Sequence, residues 1–159
     1  MMKKFLFTIL LFFACAAGYA QSLSFEELLN VTNMTDTQVH DFLTASKGFK
    51  QDGVQNVNGK SYTQYKIMRS TPDKMETVLL GITAKGASGN PSREVLYSTM
   101  QESDISSLLT QAKKSTFSLV FQGADHDKQI YRFDNSLFRA TISLGFDKKS
   151  GGVQVEQKE

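Results

Sequence analysis

Apolar residues recur along this chain at two spacings, one helical and one extended. Near the start, Phe25, Leu28 and Leu29 share one face of a helix spanning 24–31, and Val39, Phe42 and Leu43 share one face of a second at about 36–47. Each opens on a capping box, Ser24-Phe25-Glu26-Glu27 and Thr35-Asp36-Thr37-Gln38. Leu23 with Leu28, and Met34 with Val39, have the spacing of hydrophobic staples. Gly48 is a natural stop for the second helix. A third helix opens at Ser103 or Asp104 and carries Ile105, Leu108, Leu109 and Ala112.

Between and beyond these helices the period is two. Ser61 to Met68 places Thr63, Tyr65 and Ile67 on one side, and Thr77 to Thr83 does the same with Val78, Leu80 and Ile82. Arg93 to Met100, Phe117 to Gln122 and Lys128 to Phe133 are further strands. The cleanest alternation sets Phe138, Ala140, Ile142, Leu144 and Phe146 against Arg139, Thr141, Ser143 and Gly145. Val153 and Val155 allow a last short strand, whereas the Gly- and Asn-rich stretch 49–60 predicts a short or frayed one. Turns fall at Ser70-Thr71-Pro72-Asp73 and Asp134-Asn135-Ser136, with a flexible loop from Gly86 to Pro91.

The two halves match at a near-constant offset. Val39, Phe42, Leu43 and Thr44 correspond to Ile105, Leu108, Leu109 and Thr110, and Tyr65-Lys66-Ile67 to Tyr131-Arg132-Phe133. Thr77 to Ile82 then corresponds to Thr141 to Phe146, with the small change of offset falling at turns. The pattern predicts an α+β fold. Two tandem units of helix plus antiparallel strands, about 35–101 and 102–159, form a sheet with helices packed on one face, all within a single domain at 21–159.

Residues 1–20 change the electrostatic picture. Lys3 and Lys4, the apolar run Phe5 to Ala17 and the small residues Gly18 and Ala20 form the pattern of a signal peptide cleaved after Ala20. The run is too short for a comfortable membrane span, which takes about 20 residues. An alternative reading of Leu11 to Cys15 is a lipoprotein box, anchoring the chain through Cys15. Of 18 basic and 16 acidic side chains, the leader holds two basic ones, so the mature chain carries 16 of each. That balance gives no footprint for nucleic acid or an anionic membrane, and no transmembrane anchor is expected in the mature chain. Cys15, the one cysteine, leaves with the leader, so disulfides and thiol chemistry leave too. A periplasmic or secreted location follows from the same reading.

The basic start, the Ala20-Gln21 junction, the opening Leu23 to Leu28 and the helix Val39-x-x-Phe42-Leu43 with Gly48-Phe49 resemble small exported proteins of Bacteroidota. By element order alone the chain is similar to the tandem helix-plus-sheet modules of beta-lactamase-inhibitor-like and outer-membrane-assembly lipoprotein families. That likeness implies protein binding through a sheet face or loops; it assigns no residue, since no motif matches position by position.

Candidate chemistry is sparse. Asp125-His126-Asp127 could orient an imidazole as a base or a metal ligand, but it equally suits a solvated hairpin turn. His40, beside Asp41, suits a helix surface. The loop Gly86-Ala87-Ser88-Gly89-Asn90 lacks the ending of a phosphate loop and the spacing of a serine elbow. Tyr62, Tyr65, Tyr97 and Tyr131 lie on strands, where they pack across strands or face outward to anchor a partner. Asn30-Val31-Thr32 and Asn33-Met34-Thr35 match a glycan acceptor pattern but read as helix-end and cap residues.

No catalytic, cofactor-binding or metal-binding residue is assigned. The expectation is a non-catalytic binding module of the bacterial envelope, engaging an envelope protein through a sheet face or the loops at 84–92 and 123–128. Two alternatives stand beside it. One is a small apolar or lipid ligand held by Phe133, Phe138, Leu144 and Phe146. The other is a hydrolase using His126.

Overall fold

The computed structural model describes residues 23–68, 74–85, 91–147 and 149–158. The leader, Cys15, the Pro72 turn and residues 86–90 of the long loop lie outside the described residues.

Both capping boxes form. In α1 (Phe25–Asn33), Ser24 Oγ accepts from Glu27 N at 3.2 Å, and Ser24 N donates to Glu27 Oε2 at 2.8 Å. In α2 (Asp36–Asp41), Thr35 and Gln38 make the same exchange. The second helix departs from the expected regular run to 47: its last turn, Phe42–Ser46, is a π-helix. Thr44 Oγ1 donates to His40 O at 2.7 Å there, a side-chain bond that competes for a helix carbonyl. Gly48, at φ 76°, then turns the chain out, and Phe49 N bonds Leu43 O. The third helix, α3 (Glu102–Lys114), starts one or two residues before the expected opening, with Gln101 at its N-cap.

The strands are β1 (Lys50–Val57), β2 (Lys60–Met68), β3 (Met75–Lys85), β4 (Pro91–Thr99), β5 (Ser118–Asp125), β6 (Lys128–Asp134), β7 (Phe138–Gly145) and β8 (Gly151–Gln157). All pair antiparallel in one eight-stranded sheet of order β1-β2-β3-β4-β8-β7-β6-β5. Two four-strand meanders meet through β4 and β8, in a register from Glu94↔Glu156 to Thr99↔Gly151. The order reads the same when the meanders are exchanged.

This architecture corrects the expected α+β fold of two tandem helix-plus-strand units. The described chain is mostly one continuous antiparallel sheet with three short helices, and strand outweighs helix. Two local readings caused the error. Stretch 49–60 is not frayed: β1 is eight residues long, because Asn58 and Gly59 (φ 52° and 79°) close a two-residue turn of the I′ kind between Val57 and Lys60. The last strand is not a short addition either. Seven residues long, β8 lies in the middle of the sheet, and pairing it with β4 removes one exposed edge from each meander.

Helices α1 and α3 bridge that junction and do not cap separate units. α1 packs on β4 and β8, and α3 on β7, β8 and β4. Phe25 N donates to Gln111 Oε1 at 2.9 Å, and the Phe25 and Phe117 rings meet edge-on at 5.4 Å. Beneath them Leu28, Val31, Val95, Ile105, Leu108, Ile142 and Val155 are fully buried. Close approach of α3 depends on Gly151, where a Cβ would sit 2.6 Å from Ser143 O and 2.8 Å from Ile105 Cγ1.

Candidate functional site

The two edges of the sheet differ in chemistry. β1 carries Lys50 and Asp52, is broken by a bulge between Gln51 and Val54, and places Asp52 2.6 Å from Lys66 Nζ. Charge and a bulge are the ordinary means of blunting an edge. β5 also has a bulge, between Leu119 and Phe121, but from Ser118 to Ala124 it holds no charge. Among the described strands it pairs with β6 alone.

Leu119, Val120 and Phe121 are 45%, 54% and 47% exposed. Consecutive side chains of a strand alternate between faces. Three large apolar residues in a row are therefore the composition of a strand covered on both sides, here placed at an edge. The Phe121 ring folds back over Gly123 and lies 5.7 Å from the Arg132 guanidinium, which props it in place.

On the helix-bearing side, β1 to β4 floor a groove of about 560 Å³. Asp36, Val54, Thr63, Tyr65, Leu80 and Arg93 line it. Arg93 is buried, and its Nη2 lies 2.6 Å from Asp36 Oδ1 on the rim. The Tyr65 hydroxyl is pushed above its usual pKa, first by burial and then by the Asp36 charge. It lies 3.4 Å from His40 Nδ1.

The opposite face is polar and internally paired at its centre. Glu94, 3% exposed, accepts from Tyr62 Oη at 2.8 Å, Lys60 Nζ at 3.2 Å and Gln154 Nε2 at 2.5 Å. These bonds staple β2, β4 and β8. Nearby, Arg139 reaches both Asp134 and Glu156. Under the helices a second buried polar set joins Tyr97 Oη to Glu76 (2.7 Å) and Thr99 Oγ1 to Asp104 (3.2 Å).

Tyr62, Tyr65, Tyr97 and Tyr131 are all buried, so none is an outward anchor or a stacking platform. Phe133 and Phe138 belong to the closed core, Leu144 packs against it, and Phe146 is exposed beyond the end of β7. His126 occupies the β5–β6 hairpin turn at φ 50°, exposed, with Nδ1 2.6 Å from Asp125 Oδ1. No group of three or more His, Cys, Asp or Glu that could hold a metal occurs among the described residues. Thr32 and Asn33 bond back to Leu29 O at the end of α1, and Thr35 caps α2, which gives the acceptor-like tripeptides structural roles.

Among the described residues no helix is long and apolar enough to cross a membrane. No protein-family model, curated protein or solved structure matches the chain.

Proposed function

We propose that the chain is an exported, non-catalytic binding module of the bacterial envelope that takes up an extended segment of a partner protein along β5. Strand addition of this kind draws affinity from main-chain hydrogen bonds and selectivity from alternating side-chain contacts. One observation carries the proposal: Leu119, Val120 and Phe121 give an edge strand the composition of an interior one, without the charges that blunt β1. The partner segment is apolar on both faces, so that it covers Leu119 and Phe121 together. Export rests on the Lys3-Lys4 start, the apolar run and the Ala20 junction, with a lipid anchor at Cys15 as the alternative form.

The test compares the mature chain with Val120→Lys, a charge placed at an exposed bulge position away from the core. The mature chain is expected to retain an envelope protein that Val120→Lys does not retain, and the complex is expected to protect β5 amides from hydrogen exchange. Equal retention by the variant would refute the reading, as would protection confined to β1 or to the 123–128 turn. Self-association abolished by Val120→Lys would identify a second copy as the occupant and also contradict it.

A further inference from the structure

The groove over β1 to β4 contains a charged side chain whose hydrogen-bonding capacity exceeds what its neighbours among the described residues use. Arg93 is 8% exposed. A guanidinium offers five N–H donors in a planar fork and stays charged at every accessible pH. Among the described residues its ion-pair partner is Asp36, through one carboxylate oxygen, and the Asp36 side chain is 83% exposed. Buried polar groups almost always have a hydrogen-bond partner, and a buried cation is costly unless well paired. Arg93 lines the groove, and among the described residues that one carboxylate oxygen at the solvent rim is the ion-pair acceptor for its five donors.

We infer that this groove binds a small carboxylate carrying an apolar body, with the carboxylate bidentate on Arg93 and the body against Val54, Leu80 and the Tyr65 ring. Three observations select this chemistry. The volume, about 560 Å³, suits a small molecule. The local charge admits one negative group: Lys60 also lines the groove, but its Nζ is held by Glu94 on the other face, and a dianion would face Asp36. Asp36 itself shows where a carboxylate sits and acts as an internal competitor for it. The site is distinct from the β5 edge, since β1 and β5 are opposite ends of the sheet.

The probe is octanoate, titrated into the mature chain by NMR, with 1-octanol as the same body without charge. Octanoate is expected to shift Arg93 side-chain and Tyr65 resonances saturably, and octanol to bind at least about tenfold more weakly, the loss of one charge-assisted contact. Asp36→Asn removes the competitor from an exposed position and is expected to tighten octanoate about tenfold or more. Arg93→Lys keeps the charge but loses the fork, and is expected to weaken octanoate without changing octanol binding.

A short peptide ending in a free Leu carboxylate, run in parallel, distinguishes a chain terminus from a free acid by whichever binds tighter. Equal binding of octanoate and octanol would overturn the inference. So would an Asp36→Asn affinity no higher than the parent's, or the absence of saturable shifts in both proteins. The Asp36→Asn comparison stands even if the Arg93 variant fails to fold.

Discussion

Gly81 and Tyr62 face each other across β2 and β3, and the structure makes their energetic coupling calculable. A Cβ at Gly81 would lie 2.5 Å from Tyr62 Cε1 and 2.7 Å from Cδ1, so the phenol ring lies directly over the glycine. That position carries the hydroxyl to Glu94 at 2.8 Å. Gly81→Ala must push the ring off the sheet and strain its hydrogen bond to a buried carboxylate, at an expected cost of about 1–3 kcal/mol. Tyr62→Ala should cost about 3–5 kcal/mol, as for other large buried aromatics.

In the Tyr62→Ala background the added methyl meets no ring. It should then stabilise by about 0.5–1 kcal/mol, because alanine loses less backbone entropy in a strand than glycine. The effect of Gly81→Ala therefore changes sign, and the coupling is about 1.5–4 kcal/mol. Urea unfolding of the four proteins measures it. Additive costs would refute the stacked geometry.

Tyr62 is raised to about 12, by burial first and then by its hydrogen bond to Glu94 and that residue's charge. The folded state keeps the proton longer than the unfolded chain. This contribution is therefore full below about pH 10 and lost as pH rises towards 12, and Tyr62→Phe should show a shallower alkaline decline in urea midpoint. Asp134 is held below its ordinary value: burial would raise it, but Lys158 at 2.8 Å and Arg139 outweigh that. Its contribution is present above about pH 4 and lost as the pH falls through the lowered folded value, so Asp134→Asn should cost stability at pH 7 and progressively less on acidification. Gly151→Ala should cost about 1–3 kcal/mol, since Ser143 O is backbone and cannot step aside. Ser24→Ala should cost about 1 kcal/mol by opening the α1 cap, measured by thermal unfolding.

What could be read from the sequence was local. Ser24-x-x-Glu27 and Thr35-x-x-Gln38 complete their hydrogen bonds within one turn, so the helix starts were legible. Alternation at Phe138 to Leu144 located β7, because half-buried strands repeat every two residues. The β1 stretch was misjudged because its side chains are mostly polar and exposed; its order comes from backbone pairing fixed by Asn58-Gly59, a turn signal present but unread.

The central place of β8 was hidden for another reason. Pairing β4 with β8 joins positions some sixty residues apart, and nothing within either strand specifies its partner. The same distance hid the groove: Asp36 opens a helix and Arg93 sits on a strand, and each looks like a solvated charge until the sheet forms. The β5 edge did leave a trace. Val120 interrupts the alternation of Phe117, Leu119 and Phe121, making both faces apolar, but only the sheet order reveals that this strand lies outermost.

The claim that β5 is the binding edge is tested most directly by a photo-reactive residue at Val120 in the producing cell, compared with one at Asn56 on the opposite edge. A discrete adduct with an envelope protein is expected from position 120 and none from position 56. An adduct from position 56, or none from position 120, would contradict it.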